Sequence, residues 1–175
     1  MMPQPLHPAV VHFPIVFSVL LPVMAAVAIV LIRRGTRPSR VWLPVVAVSV
    51  VLTGSTWIAI QTGKNEEERV EQVVSESAIE THEEAAEVFL PLSAGLLLLV
   101  GAGLLDNRSG GVFRYVALGG ALLLLAQGFR VGHSGGELVY RHGAASAYAS
   151  GTSTTAPART VDGEREGGEE GHQRR

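Results

Sequence analysis

Six histidines are the residues of this chain best suited to chemistry. His7 and His12 sit in Leu6-His7-Pro8-Ala9-Val10-Val11-His12-Phe13-Pro14-Ile15, at the mouth of a long apolar run. His82 stands in an acidic stretch ahead of another such run. His133 and His142 belong to Gly132-His133-Ser134-Gly135-Gly136-Glu137-Leu138-Val139-Tyr140-Arg141-His142-Gly143, after the last one. Neutral imidazole is the commonest metal ligand. Clustered imidazoles suit Zn, Cu, Fe or Ni, or serve as axial ligands to haem iron. The chain has no Cys, which excludes disulfides, thiolate metal sites, covalent c-type haem and a Cys nucleophile. The candidate ligands are therefore His7, His12, His82, His133 and His142, with His12, His82 and His133 at the centre of the set. Glu83 and Glu137 are candidate carboxylates to fix a histidine tautomer. Arg130, three residues before His133, is a candidate partner for a haem propionate. His172 lies in a polar tail and receives no role.

His7 and His12 are five residues apart, about 140° around a regular helix. The prolines between and after them predict a non-helical turn that would relax this separation. Hydrolytic chemistry is poorly supplied. Ser134 beside His133 is not a triad, because adjacency in sequence is not nucleophile geometry. No Gly-x-Ser-x-Gly elbow, His-Glu-x-x-His motif or phosphate-binding loop occurs. No catalytic residue is assigned, and whether the chain is an enzyme stays open.

Four apolar runs must position these histidines: 13–32, 41–60, 88–105 and 112–131. About 20 residues at 1.5 Å each cross a hydrocarbon core of ~30 Å, and lipid offers the backbone no other partner, so each run predicts a membrane helix. A signal peptide is the alternative for the first run. It would need a basic segment before the apolar one, and residues 1–12 hold no Lys or Arg. Net charge is −2, so no global field argues for nucleic acid.

Orientation follows from charge. Arg33, Arg34, Arg37 and Arg40 lie between runs one and two, and Arg108 and Arg114 follow run three, whereas the second loop has only Lys64 and Arg69. The positive-inside rule places the arginine-rich side in the cytoplasm and both termini outside. All five candidate histidines then fall on the extracytoplasmic face. The second loop, Gln61–Glu87, is rich in Glu but carries Val70, Val74, Ala78, His82, Ala85, Ala86 and Phe89 at three- and four-residue steps. That stripe predicts an amphipathic helix leading into run three, its His82 facing the bundle. Ser49 with Thr53 and Ala117 with Ala121 are small pairs that favour close helix approach. The glycines at 132–136 predict a break after run four, and 144–175 reads as a disordered tail. No internal repeat is evident, although two helical hairpins are implied.

The fold expected is thus an all-α, integral membrane four-helix bundle over residues 5–143, N-out and C-out, multi-pass in the plasma membrane. The His7-Pro8-x-x-Val11-His12-Phe13-Pro14 segment, Thr62-Gly63, His82-Glu83 and the Gly132–Gly143 segment together resemble a bacterial and archaeal family of small four-helix membrane proteins of unknown function. The resemblance covers roughly 5–143 and implies the same five histidines as the motif set. Fusion of relatives to cytochrome c-like domains implies redox chemistry, with a c-type cytochrome or other redox protein as partner besides the lipid bilayer.

The functional expectation is a b-type haem or transition-metal site at the extracytoplasmic face, serving electron transfer. The alternative is a non-catalytic accessory or assembly module whose histidines are structural. A permease fits least. Four helices with no charge at the midplane would need a homo-oligomer to make a path.

Overall fold

A computed structural model describes residues 5–149 of the chain. Its elements are α1 (His7–Val10), α2 (His12–Arg33), α3 (Pro38–Val70), α4 (Glu76–Ala102), α5 (Arg108–Tyr140) and α6 (Ser146–Ala149). Four helical segments are long and apolar enough to cross a membrane, the first of them running through His7–Arg33. They form an all-helical bundle, and most of each apolar stretch faces outward, as a lipid-embedded bundle requires.

The helix ends are set by local chemistry. Gly35, at φ +95°, takes the left-handed conformation that ends α2, and Thr36 N–H closes back on Leu31 O. Pro38 opens α3, where its missing N–H costs nothing. Asn107 caps α5, its Oδ1 accepting from Gly110 N at 2.9 Å. Gly143, at φ +71°, reverses the chain after α5, and Ala144 N–H returns to Leu138 O.

Three expectations are corrected. First, α1 runs almost directly into α2, because the junction residue Val11 is itself helical (φ −61°, ψ −20°). Both nearby prolines fall in first turns, so neither forces the expected non-helical turn. Second, the glycines at 132–136 do not break the chain: α5 continues through them to Tyr140. Glycine weakens a helix interior by only about 1 kcal/mol, which packing readily overrides. Third, the second loop is mostly helix. α3 extends to Val70 and α4 begins at Glu76, so the amphipathic helix into run three is present but starts after a short turn. At 1.5 Å per residue, a 33-residue helix is roughly 50 Å long. The Glu-rich ends of α3 and α4 therefore stand clear of a ~30 Å hydrocarbon core. Val74, Ala85 and Phe89 of the expected stripe are buried, and Ala78 and His82 half-buried.

The bundle core contains Leu21, Trp42, Leu52, Phe89, Leu96 and Leu124 among others. Ala117 and Ala121 are almost fully buried, as close helix approach needs. At the arginine-rich end, Trp42 Nε1 donates to Val100 O at 2.8 Å. Arg114 Nε donates to Gly103 O and its Nη2 to Leu105 O. Arg114 thereby supplies donors to two carbonyls just past the last turn of α4, and Trp42 adds a second donor to Val100 O, which Gly103 N–H already reaches. A second, smaller cluster lies at the opposite end: Val74, Ile79 and Ala144, with Val70, Ala78 and Leu138 against them. It ties the α3–α4 turn to the chain after α5. Residues 144–149, expected as the start of a disordered tail, are thus a turn and a short helix docked on the bundle. The rest of the expected tail, His172 included, lies outside the described residues.

The structure also contains an internal repeat that the sequence reading missed. In α2 the buried positions include Pro14, Ser18, Leu21 and Ala25; in α4 they include Phe89, Ser93, Leu96 and Val100, at the same steps of four, three and four. In α3 they include Trp42, Val45, Ser49 and Leu52; in α5, Arg114, Ala117, Ala121 and Leu124, at the same steps of three, four and three. Ser18 and Ser93 each donate to the carbonyl three residues back. The hairpins α2–α3 and α4–α5 are two copies of one plan.

Candidate functional site

At the end of the bundle read as extracytoplasmic, the repeat brings two imidazoles together. His7 enters from α1 and His82 from the first turns of α4. Their ring centroids are 6.3 Å apart and the planes are inclined at 82°. Both rings are half-buried.

Each ring is held by one nitrogen. His7 Nδ1 lies 2.8 Å from Ala59 O and 3.3 Å from Thr62 Oγ1. A carbonyl accepts only, so Nδ1 carries the proton and donates. His82 Nδ1 lies 3.0 Å from Ser134 Oγ. Ser134 Oγ also lies 3.0 Å from Val131 O; with its proton on that carbonyl it accepts from His82 Nδ1–H. In the neutral form of both rings the lone pair is left on Nε2, and neither Nε2 makes a hydrogen bond among the described residues.

The other edge of each ring rests on a glycine. A Cβ at Gly63 would lie 3.2 Å from His7 Cε1, and one at Gly135 would lie 3.0 Å from His82 Cε1. These glycines let the helix backbones approach the rings. The helical path of α5 through 132–136 is what brings Ser134 and Gly135 under His82.

The backbone that carries His7 is anchored from α3. Glu66 Oε1 accepts from Leu6 N at 2.7 Å and from His7 N at 3.1 Å. Glu66 Oε2 accepts from Tyr148 Oη at 2.7 Å, and the Arg69 guanidinium lies over the Tyr148 ring. One carboxylate therefore pins both ends of the described chain beside His7.

Both rings open onto a cavity of about 440 Å3 between the helices. Its wall is mostly apolar, with Ile15, Ala86, Phe89 and Val131 among the lining residues. The α5 side is flattened by Gly128, Gly132, Gly135 and Gly136. Among the described residues no Asp, Glu, Lys or Arg lines it. Such a volume suits a small organic ligand or cofactor rather than a bare ion.

The sequence-selected residues divide. His7 and His82 meet. His12 is exposed but contributes to the cavity wall. His133 is exposed and its Nε2 lies 3.8 Å from Glu137 Oε1. Glu137 itself is engaged by Arg141 Nη1 at 2.7 Å, so it orients neither buried ring. Arg130 and His142 are exposed and not part of the cavity wall. Glu83 is half-buried on α4, and no hydrogen bond joins it to a histidine among the described residues. The groups that do orient the rings, Ala59 O and Ser134, were missed. A backbone carbonyl carries no sequence signal, and Ser134 was weighed only against its neighbour His133. Thr62 was noted as a motif residue without a role.

Among the described residues no three His, Cys, Asp or Glu side chains are arranged to hold a metal ion. The donor set is two neutral imidazoles, which suits a centre whose remaining ligands come from elsewhere. No curated protein and no solved structure matches the chain. The expected four-helix family does: the chain belongs to the family described as predicted membrane protein DUF2231, which it matches over residues 3–147.

Proposed function

We propose that this membrane protein binds a b-type haem through His7 and His82 and exchanges electrons on the extracytoplasmic side. The single observation that carries the reading is the pair of imidazoles, drawn from α1 and α4 and set 6.3 Å apart over an apolar cavity. Two imidazoles that ligate one metal from opposite sides, through bonds of about 2 Å, have centroids roughly 6 Å apart.

The donor set favours haem over a bare ion. A dication with two neutral ligands in an apolar cavity keeps an uncompensated charge in a poorly solvating site. A haem would bring four ligands of its own and cancel two charges, and His7 and His82 would supply the remaining two ligands. The Nδ1 hydrogen bonds of both rings are the outer contacts that ligating histidines usually make. Among the described residues the cavity wall holds no Lys or Arg that would pair with a propionate. Because the paired imidazoles lie at one face, the reading is electron exchange on that side, not conduction across the membrane through this chain alone.

The test is titration of detergent-purified, full-length protein with hemin, followed in the visible spectrum, with metal analysis of the same sample. The expected result is a Soret band lost in His7→Ala and in His82→Ala and retained in His133→Ala and His142→Ala. A wild-type protein that takes up neither haem nor metal overturns the reading and leaves the accessory module.

A further inference from the structure

The two imidazoles are not merely near each other; they are held in the same way. On α3, Thr62 Oγ1 donates to Ala59 O, and both atoms face His7 Nδ1. On α5, Ser134 Oγ donates to Val131 O and faces His82 Nδ1. In each case a hydroxyl residue bonds the carbonyl three residues back, and a glycine follows it, Gly63 or Gly135, against the ring's Cε1. The unit His, hydroxyl, Gly is built twice, once per hairpin, and extends the repeat seen in the core.

We infer that the site is a pair of equivalent half-sites, in which Ala59–Thr62–Gly63 and Val131–Ser134–Gly135 are positioning elements that lock both rings as Nδ1–H tautomers. The two half-sites together present two bare Nε2 lone pairs to one electron-pair acceptor. Each partner of Nδ1 can only accept: a carbonyl has no proton, and each hydroxyl has already given its proton to that carbonyl. With Nδ1–H fixed, a neutral ring offers nothing but an acceptor at Nε2. The class of ligand follows. A metal centre, or a group with N–H or O–H protons to donate, meets two complementary atoms. An anion or a carbonyl compound meets two repelling lone pairs. This inference rests on the preceding reading only for the identity of the acceptor as haem iron.

The experiment is nitrogen-15 NMR of full-length protein labelled at histidine, ligand-free, in lipid nanodiscs. The ring signals are assigned by their loss in His7→Gln and His82→Gln. At a pH where both rings are neutral, the expected pattern is Nδ1 protonated and Nε2 bare for both. The exchange variants Thr62→Ser and Ser134→Thr keep that pattern, because the two cradles are equivalent. A wild-type spectrum with Nε2 protonated, or with mixed tautomers at either ring, overturns the inference, as does an exchange variant that changes its own ring's tautomer. Hemin uptake is read separately. Correct tautomers without uptake leave the half-sites standing and remove only the haem.

Discussion

Tyr148 donates its phenol proton to Glu66 Oε2 across 2.7 Å, joining the segment after α5 to the projecting end of α3. Burial, and then the neighbouring Glu66 carboxylate, push the Tyr148 phenol up to about 12. The unperturbed value is near 10. Its folded value lies above its unfolded one, so the contact's contribution is fully present below pH ~10 and is lost as pH rises through about 12. An ultraviolet titration of phenolate absorbance should show a step near pH 12 that Tyr148→Phe removes. Glu66→Gln should move that late step down toward pH ~10. A wild-type titration without that late step, or one in which Tyr148→Phe leaves it in place, would refute the contact.

Glu66 also holds the backbone that carries His7, through Leu6 N and His7 N. Hydrogen bonds to a charged group contribute about 1.5–3 kcal/mol when well shielded, and this carboxylate is partly solvated. Glu66→Ala should therefore cost on the order of 1–2 kcal/mol, felt locally rather than across the bundle. Hydrogen exchange should quicken in the peptide covering residues 5–12 and stay unchanged in the core of α5. Hemin affinity should fall in the same variant, because His7 loses its fixed approach.

Much of this architecture is legible in the sequence. The four apolar runs and the Val–Ala–His stripe before Phe89 are local patterns with local causes. The choice of histidines is less legible, and the reason is geometric. His12 and His133 share the motifs of His7 and His82 but lie at exposed positions on their helices, and His142 is exposed just past the end of α5. The near-continuous path through Val11 decided this for His12, by keeping the wide angular separation from His7 that a turn would have removed. The repeat was hidden because its copies preserve burial steps, not residue types: Trp42 corresponds to Arg114, and Ser49 to Ala121.

The glycine-rich wall of α5 separates two kinds of glycine. A Cβ at Gly132 meets nothing within 4 Å, whereas one at Gly135 lies 3.0 Å from His82 Cε1. Gly132→Ala should be neutral or stabilise the helix by up to about 1 kcal/mol, since only the backbone preference changes. Gly135→Ala gains the same preference but must push the imidazole by a few tenths of an ångström. It should weaken hemin binding several-fold with little change in melting temperature. Parallel melting curves and hemin titrations check the pair. A Gly135→Ala protein that binds hemin as the wild type does would show that His82 is not seated on Gly135.

The opposite end of the bundle provides the stability test. Arg114 is only 7% exposed, and its guanidinium spans Gly103 O and Leu105 O. The planar fork reaches two carbonyls at once from fixed positions; a lysine ammonium is a single compact charge on a flexible stem. Arg114→Ala leaves both carbonyls without that partner, at about 1–3 kcal/mol for a buried unsatisfied group. Arg114→Lys should recover only part of the loss. Trp42→Phe removes the indole's bond to Val100 O and should cost less, about 0.5–1.5 kcal/mol, because that carbonyl keeps Gly103 N–H. All three changes sit at the end of the bundle away from His7 and His82. Denaturation in mixed micelles should therefore show lowered stability while hemin affinity, measured on the fraction still folded, stays at the wild-type value. A loss of affinity in Arg114→Lys at full folding would mean that the two ends are coupled through the helices.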